Sequence, residues 1–306
     1  MASTMTTRTE HPTCPRAATP DECVAVIVNY RCAVQTRACV ESLDGLRAII
    51  VDNASGDDSV ERLAGLEVIA SPSNLGFGGG CNLGIERALE DPTVRYVLLI
   101  NPDAVAEPGL LDELLRGAAR HPDAAIIGGR ILAMDGETVL FENGRFPGPS
   151  ISGLHVPAPP LVFEFQSPFV TGALMLIEAA ELRKGLRFDE SYFLYVEDLD
   201  FCHQVLRRDR AIMINTRARI RHVDGGTQRD DKPVLGNMRA LQLRCLTRGK
   251  VYFARKFVRG WKLWIVLATL GLFKPLAAVV RYRRIGFLPL YFRAFWRGLR
   301  MPVERV

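Results

Sequence analysis

Between residues 23 and 119, short apolar runs alternate with stretches of helical spacing, and each run ends on polar residues. The runs are CVAVIVN (23–29), LRAIIVD (46–52), LEVIAS (66–71) and YVLLIN (96–101), with helices predicted near 34–43, 57–63, 79–89 and 109–119. This alternation is the pattern of an α/β fold, a mostly parallel central sheet flanked by helices. In open parallel sheets ligands bind beyond the carboxyl ends of the strands, where loops and helix N-termini converge. The residues falling there are Asn29 and Tyr30, Asp52 and Asn53, Ser73 and Asn74, and Asn101 and Asp103. Singly, an Asn or Asp in such a place is most often a turn former or a cap. Four successive strands ending this way predict one shared polar pocket.

Flanking segments set the expected domain limits. Residues 1–22 are rich in Thr, Pro and Ala and contain no apolar stretch of signal-peptide length, which predicts a disordered tail. The main domain is expected over 23–228, with a Rossmann-like ligand-binding half at 23–121 and a less regular half at 122–228. Pro and Gly are dense from 146 to 160, as expected of a surface loop near a second substrate. Seven cysteines, Cys14, Cys23, Cys32, Cys39, Cys81, Cys202 and Cys245, form no C-x-x-C pair, which argues against a zinc site or redox dithiol and for reduced thiols in a cytoplasmic protein.

Charge is concentrated at the other end. From residue 244 to 306 there are fifteen Lys or Arg against one acid, Glu304, so the remainder of the chain is net acidic. Aromatics are interleaved with these cations: Trp261, Trp264, Phe273, Phe287, Tyr291, Phe292, Phe295 and Trp296. That mixture predicts a helical, basic C-terminal region (229–306) lying on an anionic membrane surface rather than on nucleic acid. Packing within the fold or against a second copy of the chain is the alternative. The longest uncharged run, 263–273, is too short to span a bilayer.

Four segments carry candidate chemistry. In Asn74-Leu75-Gly76-Phe77-Gly78-Gly79-Gly80-Cys81-Asn82 the glycines allow close backbone approach to a ligand at a helix start, although the dinucleotide fingerprint belongs after the first strand. In Asn101-Pro102-Asp103 a strand delivers one carboxylate to the sheet edge. Magnesium or manganese is commonly held there by one or two carboxylates together with substrate phosphates. Glu197, Asp198 and Asp200 stand at a predicted helix start. Val196, Leu199, Cys202 and Leu206 would face the core and leave all three acids on a cleft-facing side, ionised by the helix dipole and able to act as a base. His222, at the end of a short strand before a glycine turn, is placed to complete a metal's coordination or to touch a diphosphate.

In their order the motifs resemble the inverting glycosyltransferases of family 2, in particular the bacterial rhamnosyltransferase-like branch with a GT-A fold. The resemblance runs from about residue 24 to 227. Its elements are Val26-Ile27-Val28-Asn29-Tyr30, Val51-Asp52-Asn53-Ala54-Ser55, Asn74-Leu75-Gly76-Phe77 through Asn82-Leu83-Gly84, Asn101-Pro102-Asp103, Glu197-Asp198-Leu199-Asp200, and His222. It implies nucleoside contacts at Asn29, Tyr30 and Asp52, and a donor pocket lined by Asn74, Gly76, Phe77, Asn82 and Asn101. It further implies a divalent metal at Asp103 with His222, and Asp198 as the catalytic base supported by Glu197 and Asp200. The metal motif departs from a strict Asp-x-Asp, because Asn101 and Ala104 accompany Asp103.

The activity so implied is transfer of a sugar, rhamnose from dTDP-rhamnose in the first instance, to a hydroxyl of a glycan or lipid-linked acceptor at the inner face of the plasma membrane. UDP-linked donors of galactofuranose, glucose or N-acetylglucosamine are the alternative. A nucleotidyltransferase would need a basic Gly-rich loop after the first strand, where Asn29-Tyr30-Arg31-Cys32 stands instead. An inactive membrane scaffold would be expected to lack the metal Asp or the base, and both positions are filled.

Overall fold

The computed structural model describes residues 17–146, 148, 151, 154–222 and 233–303. Its first half alternates as expected: β1 (Cys23–Asn29), α1 (Ala33–Glu41), β2 (Ala48–Asp52), α2 (Ser59–Arg62), β3 (Glu67–Ala70), α3 (Gly76–Leu89) and β4 (Tyr96–Ile100). A short β5 (Ala104–Ala106) and α4 (Leu110–Arg120) follow. Next come β6 (Ala124–Leu132), β7 (Val139–Phe141), β8 (Gly144–Arg145), β9 (Leu154–His155), β10 (Glu164–Gln166) and β11 (Leu174–Glu178). The chain continues through α5 (Ala179–Arg183), α6 (Glu197–Arg207), a twelve-residue β12 (Ala211–His222), α7 (Ala240–Phe257), α8 (Trp261–Ala268), α9 (Lys274–Tyr282) and α10 (Leu288–Arg300).

Ten of the strands form one sheet in the order β10-β12-β6-β11-β4-β1-β2-β3, with β5 on β12 and β7 on β6. Strands β4, β1, β2 and β3 are parallel, and so are β12 and β6. Between these two groups lies β11, antiparallel to both neighbours, so the sheet is mixed and the two predicted halves share it. Three of the four runs are buried because helices cover the sheet: Val24–Ile27, Ile49–Val51 and Val97–Leu99 are all at most 1% exposed, whereas β3 at the sheet edge is only partly buried. At about 1.5–3 kcal/mol for each fully buried large aliphatic side chain, these runs supply much of the favourable term of folding.

Two boundaries differ from expectation. The predicted tail is ordered in its last residues, where Pro20–Glu22 forms a 3-10 turn capped by Thr19 and Glu22. Residues 1–16, including Cys14, lie outside the described residues, as does the turn at Gly225-Gly226; the six described cysteines are buried and unpaired. The third helix begins at Gly76 rather than near residue 79, so Gly78, Gly79 and Gly80 are inside it.

The C-terminal helices do not form an independent unit. Val251, Tyr252, Phe253 and Ala254 of α7 belong to the main core, and a small second core joins Leu235, Leu243, Phe287 and Tyr291. From Trp261 to Tyr282 the helix is continuous through a π-helical turn at Thr269–Phe273, with mean hydropathy 2.0 and 17% of its apolar window buried. It is therefore long and apolar enough to cross a membrane, contrary to the reading from the uncharged run. That reading stopped at Lys274, whose side chain turns back to Lys250 on α7 instead of interrupting the exposed face.

Glycines decide how closely α3 approaches the sheet. A Cβ at Gly84 would collide with Val26 Cγ1 and lie 3.3 Å from Val51 Cγ2, both rigid core side chains. Gly84→Ala should lower stability by about 1–3 kcal/mol through overpacking, seen as a lower urea midpoint at unchanged m-value. An unaltered midpoint would mean that α3 is free to shift.

Candidate active site

Parallel register brings Asn29 and Asp52 side by side at the carboxyl ends of β1 and β2. Asn29 Nδ2 donates to Asp52 Oδ1 at 2.7 Å and to Ser55 Oγ at 3.2 Å, while the Ser55 hydroxyl donates to Asp52 Oδ1 at 2.5 Å. Thr36 Oγ1 completes the set by donating to Asn29 Oδ1 at 2.8 Å. All four residues are buried, Asn29 completely, so the network is a satisfied polar floor rather than an open surface. Tyr30 and Arg31 form the rim above it. The Arg31 guanidinium lies 5.2 Å from the centre of the Tyr30 ring, and its Nε donates to Ser55 O at 2.8 Å.

The next sheet end is organised by a second asparagine pair. Asn53 Nδ2 donates to Gly76 O at 2.8 Å, Asn53 Oδ1 accepts from Leu75 N at 2.8 Å, and Asn74 Oδ1 accepts from Gly76 N at 2.9 Å. Gly76 has φ +73°, and a Cβ there would collide with the carbonyl of Phe193, whose oxygen accepts from Phe77 N at 3.0 Å. Close approach at this glycine, and at Gly78 and Gly80, is to protein: Phe188 and Val28 occupy the space a ligand was expected to use. Asn82 is buried too, bonding Phe188 N and O and Glu190 Oε1 at 2.9–3.0 Å. Thus α3 clamps the 188–193 segment that leads into α6.

Beyond β4, Asn101 and Asp103 meet the far end of the molecule's longest strand. Pairing of β12 with β5 sets His222 opposite Ala104. His222 Nε2 lies 3.1 Å from Asp103 Oδ1 and 3.0 Å from Asn101 Nδ2. Asp103 and His222 side chains are 10% and 17% exposed, so both retain access. Among the described residues no cluster of three or more His, Cys, Asp or Glu surrounds a metal position. One carboxylate and one imidazole fit a divalent cation that takes its remaining ligands from phosphate and water.

Asp198 enters through strained backbone. Tyr195 and Val196 have φ of +66° and +76°, and a left-handed β-branched residue is a marked outlier. Packing pins the Val196 side chain, because Gly249 of α7 leaves space beside it. The helix that starts at Glu197 then directs Asp198 toward the β11 entry loop, with Gly172 N 3.4 Å from Asp198 Oδ2. That loop borders Asn101, whose N–H donates to Ala173 O at 3.2 Å. Phe77 packs on the same glycine. Asp198, Phe77 and Asn101 therefore meet at one loop, and the Asp103–His222 pair is linked to it through Asn101.

The three acids do not share one cleft-facing side. Asp198 is half-buried, Glu197 is 5% exposed and Asp200 is fully buried. Asp200 Oδ2 pairs with Lys256 Nζ at 2.8 Å, and the same ammonium reaches Asp189 Oδ2 at 2.5 Å. Helix α6 is covered by α3 on one flank and α7 on another, which leaves only Asp198 a path outward. Burial also outweighs the helix dipole. It raises the Asp198 carboxyl to about 6, and, with the charge of Asp198 beside it, Glu197 to about 8. Glu197 Oε2 is buried without a hydrogen-bond partner among the described residues.

Lys256, Phe193 and Gly172 were missed in the sequence. Lys256 lies in a basic amphipathic helix 56 residues beyond its partner Asp200, with no local pattern to single it out. A cavity of about 570 Å³ between Cys23, Leu46, Arg47 and Leu110 lies at the amino ends of the strands, away from this arrangement.

A family model described as glycosyl transferase family 2 matches residues 24–179. The N-acetylglucosaminyl-diphospho-decaprenol L-rhamnosyltransferase of Mycobacterium tuberculosis is 28% identical over 181 residues, 50% of this chain and 58% of that protein. A low-salt glycan biosynthesis hexosyltransferase of Haloferax volcanii is 27% identical over 202 residues, 62% of this chain and 63% of that protein. The match thus spans less than two thirds of either relative. Among solved structures, GalNAc-T7 with UDP, GalNAc and Mn2+ shares the fold at TM-score 0.60 and 12% identity, over 90% of this chain and 55% of that one.

Raised carboxyl pKa values carry a stability signature. A carboxyl that binds its proton more tightly when folded stabilises the fold below its unfolded pKa and loses that contribution as pH rises through the folded one. Glu197→Gln, which keeps the shape without the charge, should gain stability relative to the parent chain between about pH 5 and about pH 9. Equal differences in urea midpoint at both pH values would contradict the buried-acid assignment.

Proposed function

The chain belongs to glycosyl transferase family 2, with a GT-A-like fold, and from that premise we propose that it transfers a sugar with inversion from a nucleotide diphosphate to a hydroxyl of a lipid-linked glycan. The observation that carries this reading is that a half-buried carboxylate, Asp198, and Asn101, which contacts His222 of the Asp103–His222 pair, meet at one loop. The rhamnosyltransferase relative, and the order of motifs, favour dTDP-rhamnose as donor.

In this mechanism Tyr30 and Arg31 flank the nucleoside at the rim above the Asn29–Asp52 floor, and Asn101 orients His222. Asp103 and His222 are the residues that would hold magnesium or manganese, which when bound offsets the negative charge developing on the departing diphosphate. Asp198 accepts the proton of the acceptor hydroxyl as its oxygen bonds to the anomeric carbon. The anomeric carbon–oxygen bond breaks on the opposite face, its electron pair leaving with the diphosphate. Inversion follows from that single displacement. Phe77 and the Gly172 loop limit water around Asp198, in keeping with its raised proton affinity.

Location at the inner face of the plasma membrane belongs to the same proposal. Trp261, Trp264, Ile265, Leu272, Leu276 and Val280 are exposed and recur at helical spacing, forming an apolar stripe on α8–α9 suited to the lipid boundary.

Calorimetry with dTDP, UDP and GDP, each with and without magnesium or manganese, tests the donor. One nucleotide should bind in a metal-dependent way, and Asp103→Ala should weaken it by about tenfold or more. No binding of any nucleotide would overturn the reading. Asp198→Asn should reduce kcat by about 10²–10⁴-fold at unchanged donor affinity. The kcat of the parent chain should fall as pH drops through about 6, where Asp198 takes up its proton. A flat acid limb, or lost donor affinity in the Asn variant, would remove Asp198 from the role of base.

A further inference from the structure

Helices α7 and α10 present four arginines to one groove. Arg244 and Arg248 stand one turn apart on α7, Arg293 and Arg297 one turn apart on α10, and Phe193 closes one wall of a space of about 200 Å³. Gly298 makes this possible, since a Cβ there would sit 2.7 Å from the Arg248 carbonyl oxygen and hold the helices apart. Arg300 and Trp296 extend the groove along α10. No Asp or Glu occurs between residues 232 and 303, and among the described residues none of these arginines has a carboxylate partner. Arg248 Nε is moreover buried without a hydrogen-bond partner among the described residues. Four arginines lining one groove without a carboxylate offer forked donors that a multivalent anion can satisfy together.

Two features narrow the anion. The groove lies in the same helical layer as the exposed apolar stripe: Tyr291 of α10 bonds the Leu270 carbonyl, and Phe295 packs on Gly271. It also adjoins the candidate active site, because Phe193 accepts from the N–H of Phe77, whose ring rests on Gly172 beside Asp198. Forked donors on two helices suit phosphate oxygens held bidentately.

We propose that this groove binds the diphosphate group of a lipid-linked acceptor, holding it while its sugar hydroxyl reaches Asp198. The identity of the bound lipid as acceptor rests on the glycosyltransferase reading; the diphosphate site itself does not. Isoprenoid diphosphates supply the probe. Flotation with phosphatidylcholine vesicles, alone or doped to equal charge with phosphatidylglycerol or farnesyl diphosphate, compares the parent chain with Arg244→Glu/Arg293→Glu. Nucleotide calorimetry on both checks that the donor site is intact, and the milder Arg244→Gln/Arg297→Gln repeats the test should the first pair fail to fold.

The diphosphate vesicles should retain the parent chain about tenfold better than phosphatidylglycerol ones, inorganic pyrophosphate should compete, and the variants should lose that preference. With a lipid-linked acceptor, its KM should rise in the variants while the donor's stays constant. Equal retention by both anionic vesicles, retention unchanged in the variants, no retention of the parent chain, or competition by duplex DNA at equal phosphate would each overturn the proposal. Diphosphate retention without any nucleotide binding would leave the groove standing and sink the transferase reading.

Discussion

The ammonium group of Lys256 sits between two carboxylates, partly buried Asp189 before α6 and fully buried Asp200 within it. Helix α7 is tied at that point to two sites eleven residues apart, and Tyr252 adds a hydrogen bond from its hydroxyl to Asp189 at 3.0 Å. Removing one partner of such a buried cluster leaves an uncompensated charge, a loss of about 3–5 kcal/mol. The cluster also keeps α7 against the 192–196 segment, where Val196 is held in a left-handed conformation. Without that anchor the backbone would relax, and Asp198 would lose its direction toward the Gly172 loop.

Helix α3 supports the same segment from the other side. Its glycines remove side chains where the helix meets Val26, Val28 and Phe188, and Asn82 replaces missing backbone partners in the 188–190 turn. The two supports explain why Glu197 and Asp200 are buried while Asp198 is half-exposed. A short run of acids is thereby sorted into one carboxylate with a path to solvent and two held in the interior. The same supports bring Phe193 between the candidate active site and the arginine groove.

Much of the architecture was legible because β1, β2 and β4 are mainly apolar runs ending on polar residues and their helices follow at regular spacing. That pattern puts Asn29 and Asp52 at the carboxyl ends of successive strands, and the parallel register of β1 and β2 sets them side by side. It did not reveal that Asn29 would be wholly buried and bonded to Thr36 and Ser55, since a polar residue at a strand end reads the same whether it faces solvent or another polar group. The glycine run was likewise visible, but not what approaches it. The antiparallel insertion of β11 had no signature either, because a buried strand looks alike in both directions.

What the sequence by itself determined is periodic and local: alternating strands and helices, Asn and Asp at their ends, acids at the start of a helix, and a basic aromatic C-terminal region. These follow from hydrophobic spacing and residue chemistry within a few turns. Tertiary structure alone decided that His222 would meet Asp103 from 119 residues away, that Lys256 would claim Asp200, and that two helices would gather four arginines into one groove. Each depends on strand register and on the closeness of packed helices, quantities set by the burial of the whole core and not by any neighbouring residues.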